Sequence, residues 1–272
     1  MDLSALANTA ELLGTAERMP VLFFGHGNPM NAITDNVVSR EWKRIGSTLP
    51  KPRAILCVSA HWETQGTLVT AMEQPRTIHD FGGFPKPLYE VLYPAPGSPD
   101  VAKQTAAVAR STSIGLDHAW GLDHGCWSVL KHVFPKADIP VLQLSLDRTK
   151  PARWHYDFAK ELTALRRRGV LIVGSGNIVH NLRMVDWEHP DSGFDWALHA
   201  DALVKKFIVD GNHTPLVRFE TLGREMQLAV PTPEHYLPML YALALQEKDE
   251  SVSFFNEKTE MGSLSMTSFR IG

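Results

Sequence analysis

Four short apolar runs, separated by helical patterns, constrain the fold of this chain more than any other feature of its sequence. The runs are rich in β-branched residues and do not alternate with polar residues, which is typical of strands buried on both faces of a parallel sheet. Strands that alternate with helices predict a doubly wound fold. We therefore expect an α/β domain with a central, mostly parallel sheet flanked by helices on both faces. The runs are VLFF (21–24), AILCVS (54–59), VLQLSL (141–146) and VLIVGS (170–175).

Amphipathic and capping patterns predict the helices that accompany these strands. In the run from 151 to 169, Pro151 suits the first turn of a helix and Gly169 suits its C-terminal cap. Two further runs, 66–72 and 263–271, are predicted as additional strands. The long irregular segment 78–100 is predicted to form a lid or a pocket wall. Other helices are expected at about 35–45, 99–110, 126–134, 194–210 and 234–246.

Composition narrows the kind of protein to be expected. Neither a repeat nor a Pro/Ser-rich linker divides the 272 residues, so we expect 1–272 to form a single domain with an N-terminal extension at 1–17. The chain has 27 Lys plus Arg and 30 Asp plus Glu, which argues against a nucleic acid or membrane partner. Only Cys57 and Cys126 are present, and no apolar run approaches the roughly 20 residues of a membrane span. These features predict a cytoplasmic protein that acts on a small molecule.

Histidines follow three of the predicted strands. His26 comes after the first run, His61 after the second, and His180 a few residues after the fourth. Because the carboxyl ends of parallel strands open on a common crevice, we expect these imidazoles to converge. A lone histidine near a strand end is more often a hydrogen-bonded structural residue. Their joint placement is what favours a functional site.

A Pro-Glu-His segment, VPTPEHYLPML (230–240), supplies the next candidates. Its prolines predict a helix that begins here, with Glu234 and His235 in the first turn. A cation is disfavoured at this end of a helix, so His235 is expected to be neutral, as a metal requires. Glu234 could serve instead. Two imidazoles plus a third imidazole or a carboxylate are typical of a catalytic divalent metal site, with iron(II) or zinc.

Other residues near the strand ends complete the set. His124 lies on a turn that could reach the same crevice. Trp62 is expected to shield one side of His61 from water and to contact the substrate. The GSGN stretch (174–177) lacks the third glycine of a dinucleotide-binding fingerprint. We expect its glycines to leave room for a substrate or for the open side of a metal. The residues by themselves also allow a zinc-dependent hydrolase, in which the same open metal site activates water.

The motifs that contain these residues are similar to those of a known family. In order along the chain they are GHGNPM, SAHW, DFGGFPKPLYEVLYPAPG, GLDHGCW, GSGNIVHNLR and PTPEHYLPML. They resemble the class III extradiol ring-cleaving dioxygenases of the DOPA 4,5-dioxygenase type, over roughly 18–272. This resemblance implies that a catechol ring is cleaved with O2, through 4,5-extradiol cleavage of a DOPA-like catechol to a seco-DOPA product.

The resemblance also implies roles for individual residues. His26 and His61 would be metal ligands, with His235 as the third and Glu234 as the alternative. His180 would be the acid/base residue, and His124 would contact the substrate or O2. The metal would be Fe(II) for turnover, although a purified protein would carry Zn(II), with His180 as a possible fourth ligand.

Two expectations concern the substrate and the main rival. An amino-acid catechol needs a cation for its carboxylate, and we expect Arg183, one turn past His180, rather than Arg76 or Lys86. Pigment-forming plant members have a proline-containing sequence after the histidine that corresponds to His180, whereas this chain reads HNLRMVD.

A non-catalytic, metal-binding Memo-like protein is the rival with a similar fold. The complete histidine set favours the enzyme.

Overall fold

A computed structural model describes residues 18–272, so the N-terminal extension predicted at 1–17 lies outside the described residues. Strands β1 to β7 and β10 form an eight-stranded sheet in the order β4-β3-β5-β2-β6-β1-β10-β7. The four central strands, β5-β2-β6-β1, are parallel. This confirms the predicted mostly parallel sheet. The strands are β1 Val21–Gly25, β2 Ala54–Thr64, β3 Thr67–Thr70, β4 Ile114–Asp117, β5 Val141–Asp147, β6 Val170–Gly176, β7 Val252–Phe255 and β10 Ser268–Ile271.

Antiparallel pairs flank this parallel centre. On one side β10 pairs antiparallel with both β1 and β7, and on the other β3 pairs antiparallel with β5 and parallel with β4. The predicted strand at 263–271 is divided, since its first part, β9 (Leu264–Ser265), pairs with β8 (Thr259–Glu260) in a separate two-stranded sheet. Between the two parts lies Met266, whose backbone packs so closely against the end of β1 that a Cβ on Gly25 would overlap it.

The central strands bury both of their faces, as their sequence predicts. Val21 and Phe23 of β1 belong to one apolar cluster, whereas Leu22 and Phe24 belong to a second cluster on the other face. Successive side chains of a strand point to opposite faces, so an uninterrupted apolar run is what a sheet covered on both sides requires. Burial on both faces holds the ends of these strands rigidly in place.

The helices cover the two faces of the sheet. The predicted helix at 151–169 is interrupted by a 3-10 turn at Lys160–Leu162. Helix α4 begins at His124, two residues earlier than predicted, because the Asp123 side chain accepts the Cys126 N–H as its N-cap. The helices are α1 Val37–Thr48, α2 Lys86–Tyr89, α3 Pro99–Val108, α4 His124–Val133, α5 Ala152–Ala159, α6 Thr163–Arg166, α7 Asp195–Val209, α8 Arg224–Ala229 and α9 Leu237–Ala244.

The predicted start of the last of these helices is wrong. Helix α9 begins at Leu237, so Glu234 and His235 lie before the helix rather than in its first turn. The N–H groups of Tyr236 and Leu237 both donate to the Pro233 carbonyl at 2.9 Å, which closes a turn ahead of α9. It is Pro238, not the earlier prolines, that occupies the helix start where a missing N–H costs nothing.

Two further predictions from the sequence concern the segment 78–100 and membrane-spanning helices. Most of the predicted irregular segment 78–100 is irregular, and α2 is its short internal helix. Within residues 18–272, none of the helices combines the length and the apolar character needed to cross a bilayer.

Candidate functional site

Three histidines from distant parts of the chain meet at the carboxyl edge of the sheet. One nitrogen each of His26, His61 and His235 lies within 4.8 Å of the other two. The Nε2 atoms of His26 and His61 are 3.1 Å apart, and the His235 ring centroid lies 5.4 Å from that of His26 and 5.0 Å from that of His61. The structure thus brings together His26 and His61, as expected from their strands, with His235, the third ligand that the family resemblance implied.

The ends of β1 and β2 position the first two imidazoles. His26 directly follows β1, and its backbone N–H donates to the carbonyl of Gly176 at the end of β6. His61 lies within β2 rather than beyond it, because this strand continues to Thr64. The pairing of β2 with β5 shifts register between Val58 and Glu63, and this irregularity spans His61. Such bulges commonly redirect a side chain next to an active site.

The turn before α9 is anchored to the end of β6. The N–H of Asn177 donates to the His235 carbonyl at 2.8 Å. A Cβ on Gly176 would overlap this same carbonyl oxygen, and a Cβ on Gly174 would overlap the carbonyl oxygen of Pro238. The glycines of the GSGN stretch therefore make room for the backbone that carries His235. The expectation that they leave room for a substrate or a metal is wrong.

Each of the three imidazoles has a distinct acceptor next to its Nδ1 atom. The Ser175 hydroxyl lies 3.0 Å from Nδ1 of His26 and donates its own proton to the Gly125 carbonyl, so it accepts from His26. Glu234 Oε1 lies 3.0 Å from Nδ1 of His235. A proton on Nδ1 leaves the lone pair of Nε2 available, and such outer contacts are what orients metal-binding histidines.

The third acceptor is Asp80, which lies in the irregular segment. Its Oδ2 atom is 3.3 Å from Nδ1 of His61 and 3.0 Å from Nδ1 of His124. Its Oδ1 atom accepts the backbone N–H of His124 at 2.8 Å, at the start of α4. Burial tends to raise the pKa of Asp80, but its contacts with His124 and His61 outweigh burial and lower it. Asp80 therefore stays a carboxylate that serves two imidazoles.

Burial keeps the three convergent imidazoles uncharged. Burial, reinforced by the neighbouring imidazoles, lowers the pKa of His26 and of His235 well below the ordinary value of 6.5. Burial likewise lowers the pKa of His61 to about 3. Neutral imidazole is the form that binds a metal, and three of them with an open side match the donor set of a catalytic iron or zinc site. The residues present therefore fit a divalent metal.

His180 lies beside this group but does not complete it. Its ring stacks on that of His235, with centroids 3.5 Å apart and planes within 6°. Its backbone N–H donates to the Ala229 carbonyl, and burial lowers the pKa of its imidazole to about 4. His180 shares a second potential cluster with Glu234 and His235, but not the cluster that contains His26 and His61. This placement does not favour His180 as a fourth ligand of a zinc ion.

The same placement bears on the choice between the two candidates for the third ligand. His235 belongs to the cluster with His26 and His61, whereas Glu234 contacts His235 from the outer side, at its Nδ1 atom. The arrangement favours His235, with Glu234 as the residue that orients it.

A cavity of about 360 Å³ opens beside these histidines. Phe81 forms part of its wall, with its ring edge-to-face with His124 at 5.5 Å. Much of the rest of the wall is apolar, and Trp187 at the rim is 75% exposed. The complete lining consists of His26, Gly27, Asn28, Pro29, His61, Asp80, Phe81, Phe84, His124, His180, Leu182, Val185, Trp187, His235, Met261 and Leu264.

Two residues expected to bind substrate do not line this cavity. Trp62 is buried and stacks on Trp120, with ring centroids 5.6 Å apart. It follows His61 in β2, and successive residues of a strand point to opposite faces, which explains why it turns away. Arg183 is exposed, and its neighbours Leu182 and Val185 line the cavity in its place. The structure therefore does not support either residue as a substrate contact.

Sequence reasoning missed the acceptors behind the imidazoles. These are Asp80 and Ser175. It also missed Asp123, which contacts no imidazole but is fully buried next to His124, where it caps α4 and accepts the Ser59 hydroxyl at 2.7 Å and the Gln143 amide at 2.6 Å. Burial raises the pKa of Asp123. Asp80 had one signal, its place in the DFGG motif of a segment predicted to form a pocket wall. Nothing local distinguishes Ser175 or Asp123 from an ordinary buried residue.

Comparison with known proteins identifies the family. Residues 27–270 match the catalytic LigB subunit of aromatic ring-opening dioxygenase. The chain is 49% identical to the 4,5-DOPA dioxygenase extradiol of Escherichia coli K12, over 96% of this chain and 98% of that protein. It is 34% identical to the 4,5-DOPA dioxygenase extradiol of Beta vulgaris, over 95% and 98% of the two chains.

A solved structure agrees with these relatives. The crystal structure of an uncharacterized protein from Escherichia coli K12 matches with a TM-score of 0.82 and 46% identity, covering 94% of this chain and 100% of the other. Enzymes of the LigB family depend on a metal, which agrees with the histidine cluster, and the family assignment argues against a hydrolase or a non-catalytic Memo-like protein. This chain belongs to the LigB family of extradiol, aromatic ring-opening dioxygenases.

Proposed function

We propose that this chain opens the ring of a DOPA-like catechol with O2 at a single divalent metal held by His26, His61 and His235. The observation that carries the proposal is that three neutral imidazoles converge at the edge of a cavity. Each of them has a hydroxyl or carboxylate oxygen next to its outer nitrogen, Nδ1. Three ligands on one side of an ion leave its other positions free for substrate and O2. The metal proposed for turnover is iron(II). Zinc would bind the same imidazoles without supporting oxidation.

The metal and the protein would contribute differently to the proposed reaction. Iron(II), when bound, supplies the redox chemistry that allows triplet O2 to react with a closed-shell ring. The protein holds both reactants in one place, which removes much of the entropic cost of their meeting. Here β1, β2 and the turn that is anchored to the end of β6 hold the ligands, and the apolar wall around Phe81 excludes water from the ring.

His180 is the proposed acid/base residue. It lines the cavity, and burial keeps its pKa at about 4, so near neutral pH its imidazole is uncharged and able to accept a proton. It would take a proton from a catechol hydroxyl and return one when the opened product needs it. Stacking on His235 fixes the plane of its ring, and hence the direction in which the proton moves.

His124 is the proposed contact for the substrate or O2. It is 5% exposed and lines the cavity, and its ring centroid lies 3.9 Å from that of His61. Its Nδ1 faces Asp80, which favours a proton on that atom and leaves Nε2 for the substrate side. A donor or acceptor held in this way costs little reorganisation during the reaction.

The substrate class follows from the relatives. Proteins named 4,5-DOPA dioxygenase extradiol cover nearly the whole chain at 49% and 34% identity, which supports 4,5-cleavage of a DOPA-like catechol to a seco-DOPA product. The cavity of about 360 Å³ is large enough for one substituted catechol ring.

The proposal is tested by metal exchange. Metal-free protein is reconstituted anaerobically with iron(II) or with zinc, and O2 uptake and the yellow ring-opened product are measured with the same catechol. We expect equimolar O2 uptake and product formation with iron(II), and neither with zinc. Equal turnover by protein verified to contain only zinc would contradict the proposed chemistry.

A further inference from the structure

The cavity beside the histidine cluster has a buried end and an open end. The proposed ligands His26 and His235 are buried, whereas Leu182 and Trp187, which line the same cavity, are 64% and 75% exposed. This gradient gives the cavity a direction. A ligand that is held by the histidines can extend only toward Leu182 and Trp187.

Trp187 is unusual for a tryptophan, a residue that normally buries most of its large apolar surface. It leaves 75% of its surface in water although it contributes to a cavity wall. A single exposed apolar residue on a protein surface is ordinary, but apolar surface at the mouth of a concave site is typical of ligand binding. The position of Trp187 therefore points to contact with a ligand.

The backbone around Trp187 is held in place by the turn between β8 and β9. The Asp186 N–H donates to the Met261 carbonyl at 2.8 Å, and the Met261 N–H donates to the Pro190 carbonyl at 2.8 Å. The Oδ1 atom of Asp186 also accepts the Glu188 N–H at 3.0 Å. These bonds fix the chain on both sides of Trp187, so its indole stays at the mouth with its surface available to a ligand.

The orientation of a bound catechol decides which part of it reaches this end. In the proposed function the two hydroxyls of the ring face the cluster of His26, His61 and His235. The opposite edge of the ring, with any substituent on it, then points toward the mouth. An indole at the mouth can pack against this edge and against the first carbon atoms of the substituent, in the offset or edge-to-face arrangements that aromatic groups favour.

We infer that Trp187 contacts the ring substituent of the bound catechol and makes the site selective for substituted catechols over catechol itself. The inference rests on the proposed function, because the orientation of the ring is taken from it. Trp187 is then a specificity-determining residue at the opposite end of the cavity from the proposed metal ligands.

Turnover of 4-ethylcatechol and catechol by the iron(II) enzyme tests the selectivity. We expect Trp187→Ala to lower the ratio of their kcat/KM values about fivefold to tenfold, as the loss of one aromatic contact implies. Most of the change should be in KM, since the contact is the same before and during the reaction. Trp187→Phe keeps an aromatic face and should restore much of the ratio. An unchanged ratio in Trp187→Ala would overturn the inference.

Val209→Ala is the matched control. Val209 is an apolar residue at the end of α7 that is 71% exposed and lies outside the cavity lining. We expect this variant to keep the ratio of the wild type. An equal fall in both variants would show that the loss does not come from the cavity mouth, and would overturn the inference.

Binding is measured separately from turnover, by anaerobic calorimetric titration of the iron(II) protein with 4-ethylcatechol. We expect the Kd of Trp187→Ala to rise by the same factor as its kcat/KM falls. If the wild type consumes no O2 with either catechol, the proposed function fails, whereas this titration still tests the contact. Equal Kd values for the wild type and Trp187→Ala would refute the inference, and absence of binding to the wild type would refute both proposals.

Discussion

Oxygen atoms outside the cluster of His26, His61 and His235 determine which ring nitrogen of each imidazole is left free for a metal. The Ser175 hydroxyl is the clearest case, because its own proton is committed to the Gly125 carbonyl and only its lone pairs face His26. In Ser175→Ala, His26 would lose the acceptor that holds its proton on Nδ1. A metal would then bind a ring whose orientation and tautomer are no longer set.

We expect Ser175→Ala to weaken metal binding by about 10-fold to 100-fold, as is typical of lost outer contacts. Competition with a chelator of known affinity measures this change. Ser145→Ala is the control, since Ser145 is also fully buried but bonds to Thr64 and Leu68. An equal loss of metal affinity in both variants would mean that general destabilisation, rather than the contact with His26, is responsible.

We expect substitution of His180 to lower turnover without removing the metal, which would distinguish it from the three proposed ligands. His180→Gln is expected to lower kcat by about 10² to 10⁴, the usual contribution of a positioned acid or base. Its metal content should stay unchanged, because His180 lies outside the cluster of His26, His61 and His235. Metal analysis beside single-turnover kinetics checks both statements. Loss of metal from the variant would instead indicate that His180 is a ligand.

At the scale of elements, the site depends on a close approach between β6 and the turn before α9. Gly176 ends β6 directly against the His235 carbonyl, so any side chain there must displace the turn. The prediction of strands from apolar runs succeeded because burial on both faces leaves a strong local signature. The predicted start of α9 was wrong because the Pro233 carbonyl closes a turn ahead of the helix, and no local sequence pattern indicates this turn.

Gly176→Ala tests this approach. We expect it to lower the free energy of unfolding by about 2 kcal/mol, in the range seen when a packed interior is overfilled. We also expect weaker metal binding, because His235 must move. Denaturant unfolding and chelator competition measure the two effects. Gly82→Ala is the control, since a Cβ at Gly82 meets nothing within 4 Å, and a comparable stability loss there would contradict the explanation.

At the scale of the whole molecule, a buried ion pair joins segments that lie far apart along the described chain. Arg166, fully buried at the end of α6, pairs with Glu250 and also donates to the carbonyls of Met19 and Leu245. Burial tends to raise the pKa of Glu250, but its bonds to Arg166 outweigh burial and lower it below the ordinary value of 4.5. The pair therefore links the segment before β1 to the segment before β7.

Glu250→Gln should lower the free energy of unfolding by roughly 3 kcal/mol near neutral pH, because it leaves the Arg166 charge buried without its partner. A carboxyl whose pKa is lower in the folded state contributes stability above its unfolded pKa and loses it as the pH falls through the folded pKa. The difference between wild type and variant should therefore shrink in acid.

Urea unfolding near neutral pH and at successively lower pH checks this dependence. Glu41→Gln, which removes an exposed pair with Arg44, is the control and should cost less than about 1 kcal/mol. A difference between wild type and Glu250→Gln that stays constant with pH would contradict the assigned role.

The amino-acid sequence by itself determined the sheet, the covering helices and the histidines placed where strands end. These features have local signatures, since burial and chain reversal act on neighbouring residues. Only the tertiary structure decided which groups surround the imidazoles: Ser175 lies 149 positions from His26, and Asp80 lies 44 positions from His124. It also left Arg183 outside the cavity. Such contacts depend on how distant segments pack, and no periodicity in the chain encodes that packing.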